Sequence, residues 1–263
     1  MSEGRGRFFK IRVAVLLAIL VGVLLYAWRD VRSRRARKDW DRPLYVAVVL
    51  LEVAPLDPQA VSTLRERLGT LDEKLAEQMR RYRSSSNHPF AFAFFGPVPV
   101  ERPPPQLGGE GATEAAKQSY EAWSYLSHVD AAAKLDASLF DTRIYVAARP
   151  PTNAAHEMVE GSSEQDGRIG VVTVELDASM ADLTSFVIAH ELLHTLGASD
   201  KYDASGHALV PDGLAEPARD PLYPQRFAEV MARNRPVAPG VEKVPATLDE
   251  LAVGPATARE IAW

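Results

Sequence analysis

The chain has no cysteine in 263 residues. That removes disulfide scaffolds, thiolate nucleophiles, iron–sulfur clusters and every cysteine-ligated zinc site. A metal site here must be built from His, Asp and Glu. Strong charge of either sign is missing too. The net charge is −5 with 25% charged residues, a balance that argues against general nucleic-acid binding. Neither aromatic nor apolar content is scarce (8% and 46%), so wholesale disorder is excluded and a substantial core is expected. Internal repeats are absent, and Pro103-Pro104-Pro105 and Gly108–Gly111 read as loop, the latter without the lysine of a phosphate-binding loop.

One long apolar run is present. Val13–Trp28 carries no charge, and basic residues flank it on both sides. As a helix, sixteen residues span about 24 Å, and extension back to Phe8, with Lys10 and Arg12 snorkelling, reaches the thickness of a bilayer core. Tyr26 and Trp28 fit an interfacial aromatic anchor. The expected organisation is a basic N-terminal segment (1–12), a transmembrane anchor (13–28), a basic juxtamembrane linker (29–42) in contact with anionic lipid, and one domain over 43–263. A cleaved signal peptide is the competing reading, against which Tyr26-Ala27-Trp28-Arg29 is a poor cleavage site. Two rules conflict on orientation. Seven basic residues after the run against four before it place the domain in the cytoplasm, whereas a basic N-terminus before a first apolar segment resembles a signal anchor that exports it.

Beyond the linker, Leu44–Val53, Phe90–Phe95, Arg143–Ala148 and Ile169–Leu176 read as strands. Gln59–Tyr82, Thr113–Lys134 (Thr113 as N-cap) and Ala181–Leu196 read as helices, with Leu64, Leu68, Leu71, Leu75 and Met79 forming a core stripe. Gly96–Gly111 and Pro151–Asp166 are expected to be loops. The fold class is α+β (mixed α/β), helices packed on a sheet. From Gly197 on, prolines make the chain irregular, with short helices expected near Arg226–Met231 and Pro255–Ile261, and such a segment needs a tether.

The chemistry concentrates in Ile188–Asp203 (IAHELLHTLGASDKYD). His190 and His194 lie four apart on a predicted helix, so both rings leave one face and reach one zinc ion. Glu191 is placed to hydrogen-bond the activated water rather than the metal. Gly197 suits a left-handed exit from the helix, and the turn returns Asp200 toward the same ion. Two His, one carboxylate and an open position is the layout of a catalytic zinc. A chance H-E-x-x-H in this composition arises about once in a hundred chains. His88, His128, His156 and His207 are isolated and read as surface or satisfied core. Asp203 reads as a turn residue.

At these residues the chain resembles the metzincin clan of zinc metallopeptidases. His190, Glu191, His194, Gly197 and Asp200 match H-E-x-x-H-x-x-G-x-x-H/D, with aspartate as third ligand as in the snapalysin type. The resemblance implies a zincin-like catalytic domain with a twisted sheet, an active-site helix and an irregular C-terminal subdomain. It implies Met231 in a turn beneath the metal, and a strand within Ile169–Leu176 that pairs with an extended peptide substrate. It also implies a membrane-anchored endopeptidase in which zinc is held by His190, His194 and Asp200 and Glu191 is the general base. The tyrosine found two residues after the methionine in several metzincins is Arg233 here; Tyr202 and Tyr223 read equally as substitutes or as packing tyrosines, which leaves the transition-state stabiliser beyond zinc unassigned. A catalytically silent metal-binding domain that recognises a protein or envelope partner, and a zinc amidase acting on cell-wall peptide, are the alternatives.

Overall fold

The computed structural model describes residues 3–84, 88–105, 112–152, 159–163 and 165–263. Two compact units divide it, Met1–Asp39 and Trp40–Trp263. The first is a single helix, α1 (Glu3–Ala36), longer at both ends than the apolar run alone. Its segment Phe9–Ala36 is long and apolar enough to cross a membrane. Leu16, Leu17, Ile19, Leu20, Leu24 and Leu25 are exposed along it, so this helix has no protein core of its own.

The second unit is mixed α/β around a five-stranded sheet in the order β2-β1-β3-β5-β4. The strands are β1 (Leu44–Glu52), β2 (Phe90–Pro99), β3 (Thr142–Arg149), β4 (Val159–Ser163) and β5 (Ile169–Glu175). β1 pairs in parallel with β2 and β3, β3 pairs in parallel with β5, and β4 runs antiparallel along the outer edge of β5. Burial on both faces explains why β1 is apolar without alternation. Val46, Val48 and Leu50 enter one core with helices α2 (Pro58–Arg80) and α4 (Ala181–His194), while Ala47, Val49 and Leu51 enter a second core with Leu126 and Val129 of α3 (Ala112–Ala132). Asp57 caps α2 by accepting the Gln59 N–H, and Pro58 occupies the first turn, where a missing N–H costs nothing. The stripe Leu64, Leu68, Leu71, Leu75 and Met79 is buried in that first core, as its spacing predicts.

Four local expectations change. β2 continues through Gly96 to Pro99, because its register on β1 resumes after a shift at Val49/Leu51. Thr113 lies inside α3, which already begins at Ala112. The polar stretch 151–166 contains β4, an edge strand whose glycine and serines carry no apolar period. Residues 226–231 do not form a helix: Ala228–Glu229 is strand β6, paired with β9 (Leu251–Ala252), and Val230–Ala232 is a single 3₁₀ turn. The remaining C-terminal elements are the hairpin β7 (Arg235–Ala238) and β8 (Val241–Lys243) and helix α5 (Pro255–Glu260).

Candidate metal centre

Helix α4 supplies the first two candidate side chains, and its packing fixes their direction. Ile188, Ala189, Leu192 and Leu193 are fully buried on its core side. His190 and His194, one turn apart, project together from another face, with ring centroids 4.6 Å apart at 88°. The helix ends as the sequence predicts. Gly197 takes φ +85°, its N–H donates to the His194 carbonyl (2.9 Å), and the Ala198 N–H donates to that of Leu193 (3.1 Å). The exit turns the chain so that Asp200 faces both rings.

The resulting geometry is tight. The two Nε2 atoms are 3.1 Å apart, and Asp200 Oδ1 is 3.3 Å from His190 Nε2 and 3.2 Å from His194 Nε2. Three ligands about 2.0 Å from one tetrahedral ion would be separated by about 3.3 Å. Each ring also donates its other N–H to backbone: His190 Nδ1 to the Val230 carbonyl (2.9 Å) and His194 Nδ1 to the Ala198 carbonyl (2.8 Å). Those bonds fix the tautomers and leave two Nε2 lone pairs facing each other. Two lone pairs at that distance call for a cation, either a proton or a metal ion. Ligand atoms of His190, Glu191 and His194 lie within 4.8 Å of one another, and the group could hold a metal ion.

Electrostatics agree with the geometry. Burial pushes the Asp200 carboxyl up, but the hydrogen bonds and charge of His190 and His194 outweigh it and hold it well below the usual carboxylate range. Burial pushes His194 down, yet its bonds to Asp200 and the Ala198 carbonyl, with the charges of Glu191 and Asp200, raise it overall.

Glu191 stands apart from the triangle. Its Oε1 is 3.9 Å from His190 Nε2, the residue is only 2% exposed, and its Oε2 has no hydrogen-bond partner among the described residues. A buried carboxylate oxygen left unsatisfied costs about 1–3 kcal/mol or more, so this one is available for a proton or a water. The space for it comes from two glycines that the sequence gives no reason to single out. A Cβ on Gly161 of β4 would overlap the Glu191 carboxyl, and one on Gly170 of β5 would press on Ile144 Cδ1 (2.7 Å) and Glu191 Cβ (3.2 Å).

Two clefts meet at His190, Glu191 and Tyr202. One, of about 450 Å³, is walled by Met180, Leu183, Phe186, Val187 and Val244 with Arg233 and Asn234 at its side. The other, of about 400 Å³, is polar, with Ser162, Ser163, Gln165, Ser199 and Asp200. Tyr202 stacks on His190 (centroids 6.4 Å, 23°), and the Arg233 guanidinium lies 5.5 Å over its ring. Burial, then the Asp200 charge and hydrogen bond, raise the Tyr202 hydroxyl, and Arg233 opposes the shift. Tyr223 lines neither cleft.

The turn after β6 closes the site from below. Met231 is fully buried there, beside the Val230 carbonyl that orients His190. Sequence reasoning missed what shapes this turn. Glu229, itself fully buried, accepts the N–H groups of Met231 (2.6 Å) and Ala232 (3.0 Å) through one oxygen and that of Gly254 (3.1 Å) through the other.

The strand expected to be open to an extended peptide is not open. β5 is paired on both sides, by β3 and β4, so its backbone groups are spent, and among the described residues the outermost strand beside the site is β4. The other described histidines bond elsewhere. His88 Nδ1 contacts Asp72 (2.7 Å), His128 Nδ1 donates to the Ser124 carbonyl (2.6 Å), and His207 Nδ1 contacts Ser205 Oγ (3.1 Å). His156 and Gly108–Gly111 lie outside the described residues. Asp203 is a turn residue, its Oδ1 accepting the N–H groups of Ser205 and His207. No protein-family model matches the chain, and no curated protein shows significant similarity to it.

Proposed function

We propose that the chain is a membrane-anchored zinc endopeptidase of metzincin type, with His190, His194 and Asp200 as ligands and Glu191 as general base. The observation that carries this reading is the triangle of two Nε2 atoms and one carboxylate oxygen, with edges of 3.1–3.3 Å and both Nδ1 atoms already committed to carbonyls. A donor set of two imidazoles and one carboxylate suits zinc and leaves a position open. Bound there, zinc would supply Lewis acidity toward the substrate carbonyl and lower the pKa of a water toward 7.

The chain's own groups do the rest. Glu191, unpartnered at Oε2, takes the proton of the attacking water and returns it to the leaving amine. The outer edge of β4 accepts an extended peptide by backbone pairing, which draws substrate across both clefts without specifying its sequence. Tyr202, beside His190 and Asp200, donates to the developing oxyanion, the role that the expected tyrosine after Met231 would otherwise fill. Met231, buried in the turn after β6, would serve as the methionine beneath a bound ion. Helix α1 anchors the domain in the bilayer, which makes membrane lipid a partner alongside the peptide substrate.

Glu191→Ala tests the assignment. The variant keeps its metal and loses peptide hydrolysis by about 10²–10⁴-fold, the usual worth of a general base. Turnover at the wild-type rate in metal-loaded Glu191→Ala would remove Glu191 from the mechanism. A wild-type chain that binds zinc and cleaves no peptide would favour the silent recognition domain.

A further inference from the structure

The short segment Ala198–Lys201 carries a heavy share of the centre. It supplies the carbonyl that orients His194 and the carboxylate of Asp200, yet it lies outside any helix or strand. Regular backbone pairing cannot hold it. A carboxylate from the far end of α5 does so instead. Glu260 Oε2 accepts the Ser199 N–H (2.9 Å), and Oε1 accepts the Ser199 hydroxyl (3.0 Å) across 61 residues of chain. The same Oε1 pairs with Lys201 Nζ at 2.6 Å, and that ammonium also donates to Ser199 Oγ (2.6 Å) and the Ser199 carbonyl (3.2 Å). Both neighbours of Asp200 are thus bound by one side chain.

Lys201 is the unusual member. Its side chain is 5% exposed, and an ammonium that deep needs an anion. Asp200 is committed to the two imidazoles, so Glu260 takes the ammonium. Without Glu260 the nearest carboxylate along the chain is Asp200 itself, and the buried cation would compete with the metal for it. Burial pushes the Glu260 carboxyl up, but Lys201 and Ser199 outweigh this and hold it below its ordinary value, as expected of a carboxylate ionised in place. The Lys201 backbone N–H donates to the Met231 carbonyl (3.0 Å), which ties the loop to the turn under His190. At its other end α5 is bound by Glu229 through Gly254. One short helix therefore braces both arms of the centre.

We propose that Glu260 is the positioning residue for Asp200, keeping its carboxylate on the imidazole pair by clamping Ser199 and neutralising Lys201. The inference rests on Asp200 being a ligand of the proposed centre. The test uses the full chain in detergent, stripped of metal and titrated with Co²⁺ alone, reading affinity and the visible ligand-field spectrum. Glu260→Gln is expected to bind about tenfold more weakly, the low end for outer-shell partners. Its spectrum shifts as Asp200 is released. Ser199→Ala, which keeps its N–H bond and the Glu260–Lys201 pair and loses only the hydroxyl, loses less. Asp141→Asn breaks a clamp of the same kind, on Arg42 and the Tyr45 N–H, and leaves affinity and spectrum unchanged.

A Glu260→Gln chain with wild-type affinity and spectrum overturns the inference while leaving the centre standing. Should that variant not fold, Glu260→Asp, which keeps the charge but is too short to hold Ser199 and Lys201 together, takes its place, and wild-type affinity and spectrum there overturn the inference equally. A wild-type chain that takes up no cobalt removes the centre and the inference together.

Discussion

The two sides of the candidate centre are held by different physics. On the helix side, α4 is locked by apolar contact, with Ile188, Leu192 and Leu193 fully buried against α2 and the sheet. On the C-terminal side, the third carboxylate and the turn under His190 sit in chain with little regular structure. Carboxylates hold them there: the buried Glu229 on Met231, Ala232 and Gly254, and the half-buried Glu260 on Ser199 and Lys201. Apolar packing is tolerant, since volume can be redistributed. A carboxylate clamp is directional, since each lost acceptor strands a buried N–H. The difference teaches where precision at this site resides: the helix side sets which face the histidines occupy, and the polar side sets the last ångström.

Substitutions can break that comparison at graded cost. The largest effect after loss of Glu191 itself is expected at Gly161. Alanine there intrudes on the Glu191 carboxyl, so peptide hydrolysis falls about 10²-fold while metal stays bound. Unchanged turnover of Gly161→Ala alongside wild-type metal content would show that Glu191 needs no such space.

A paired substitution separates the two sides. Leu64→Ala removes fully buried apolar volume from α2 and costs about 2–5 kcal/mol of stability, with metal affinity of the folded chain unaltered. Glu229→Gln places an amide N–H₂ against N–H donors, costs about 1–3 kcal/mol, and weakens metal binding as well. Thermal melts with and without zinc distinguish them. Equal zinc-induced shifts in the two variants would erase the contrast drawn here.

The smallest effect is in pH. In the metal-free chain the raised His194 contributes stability that is complete below its unfolded value of about 6.5 and is lost as pH rises through the higher folded value. Metal requires the same nitrogen deprotonated, so its affinity climbs over that range. The gap in melting temperature between zinc-loaded and metal-free chains should widen from about pH 6.5 upward. A gap that narrows would contradict the assignment of His194 as ligand.

What was legible in the sequence follows the same division. The i, i+4 spacing of His190 and His194 and the glycine exit at Gly197 are local patterns, and local backbone geometry obeys them. β1, β3, β5 and α4 were legible as continuous apolar runs and α2 by its apolar spacing, because both patterns report burial directly. β4 was not, since Gly161, Ser162 and Ser163 give an edge strand no apolar period, and pairing on β5 alone defines it. Without β4, β5 reads as an open edge, which its antiparallel pairing with β4 excludes. Glu229 and Glu260 were invisible for another reason. Glu229 joins its own turn to Gly254, 25 residues on, and Glu260 reaches Ser199 across 61 residues, and nothing in a lone glutamate announces a distant N–H. Tyr202 was visible as a residue but not as a place, because only the fold stacks it on His190 and under Arg233.

The central claim is that His190, His194 and Asp200 form one metal site. Its most direct test is the zinc content of the metal-replete full chain beside His194→Ala. About one zinc per wild-type chain, lost in a variant that remains folded, is the result predicted for a three-ligand centre. A folded wild-type chain without zinc, or a His194→Ala chain that keeps it, would contradict the claim.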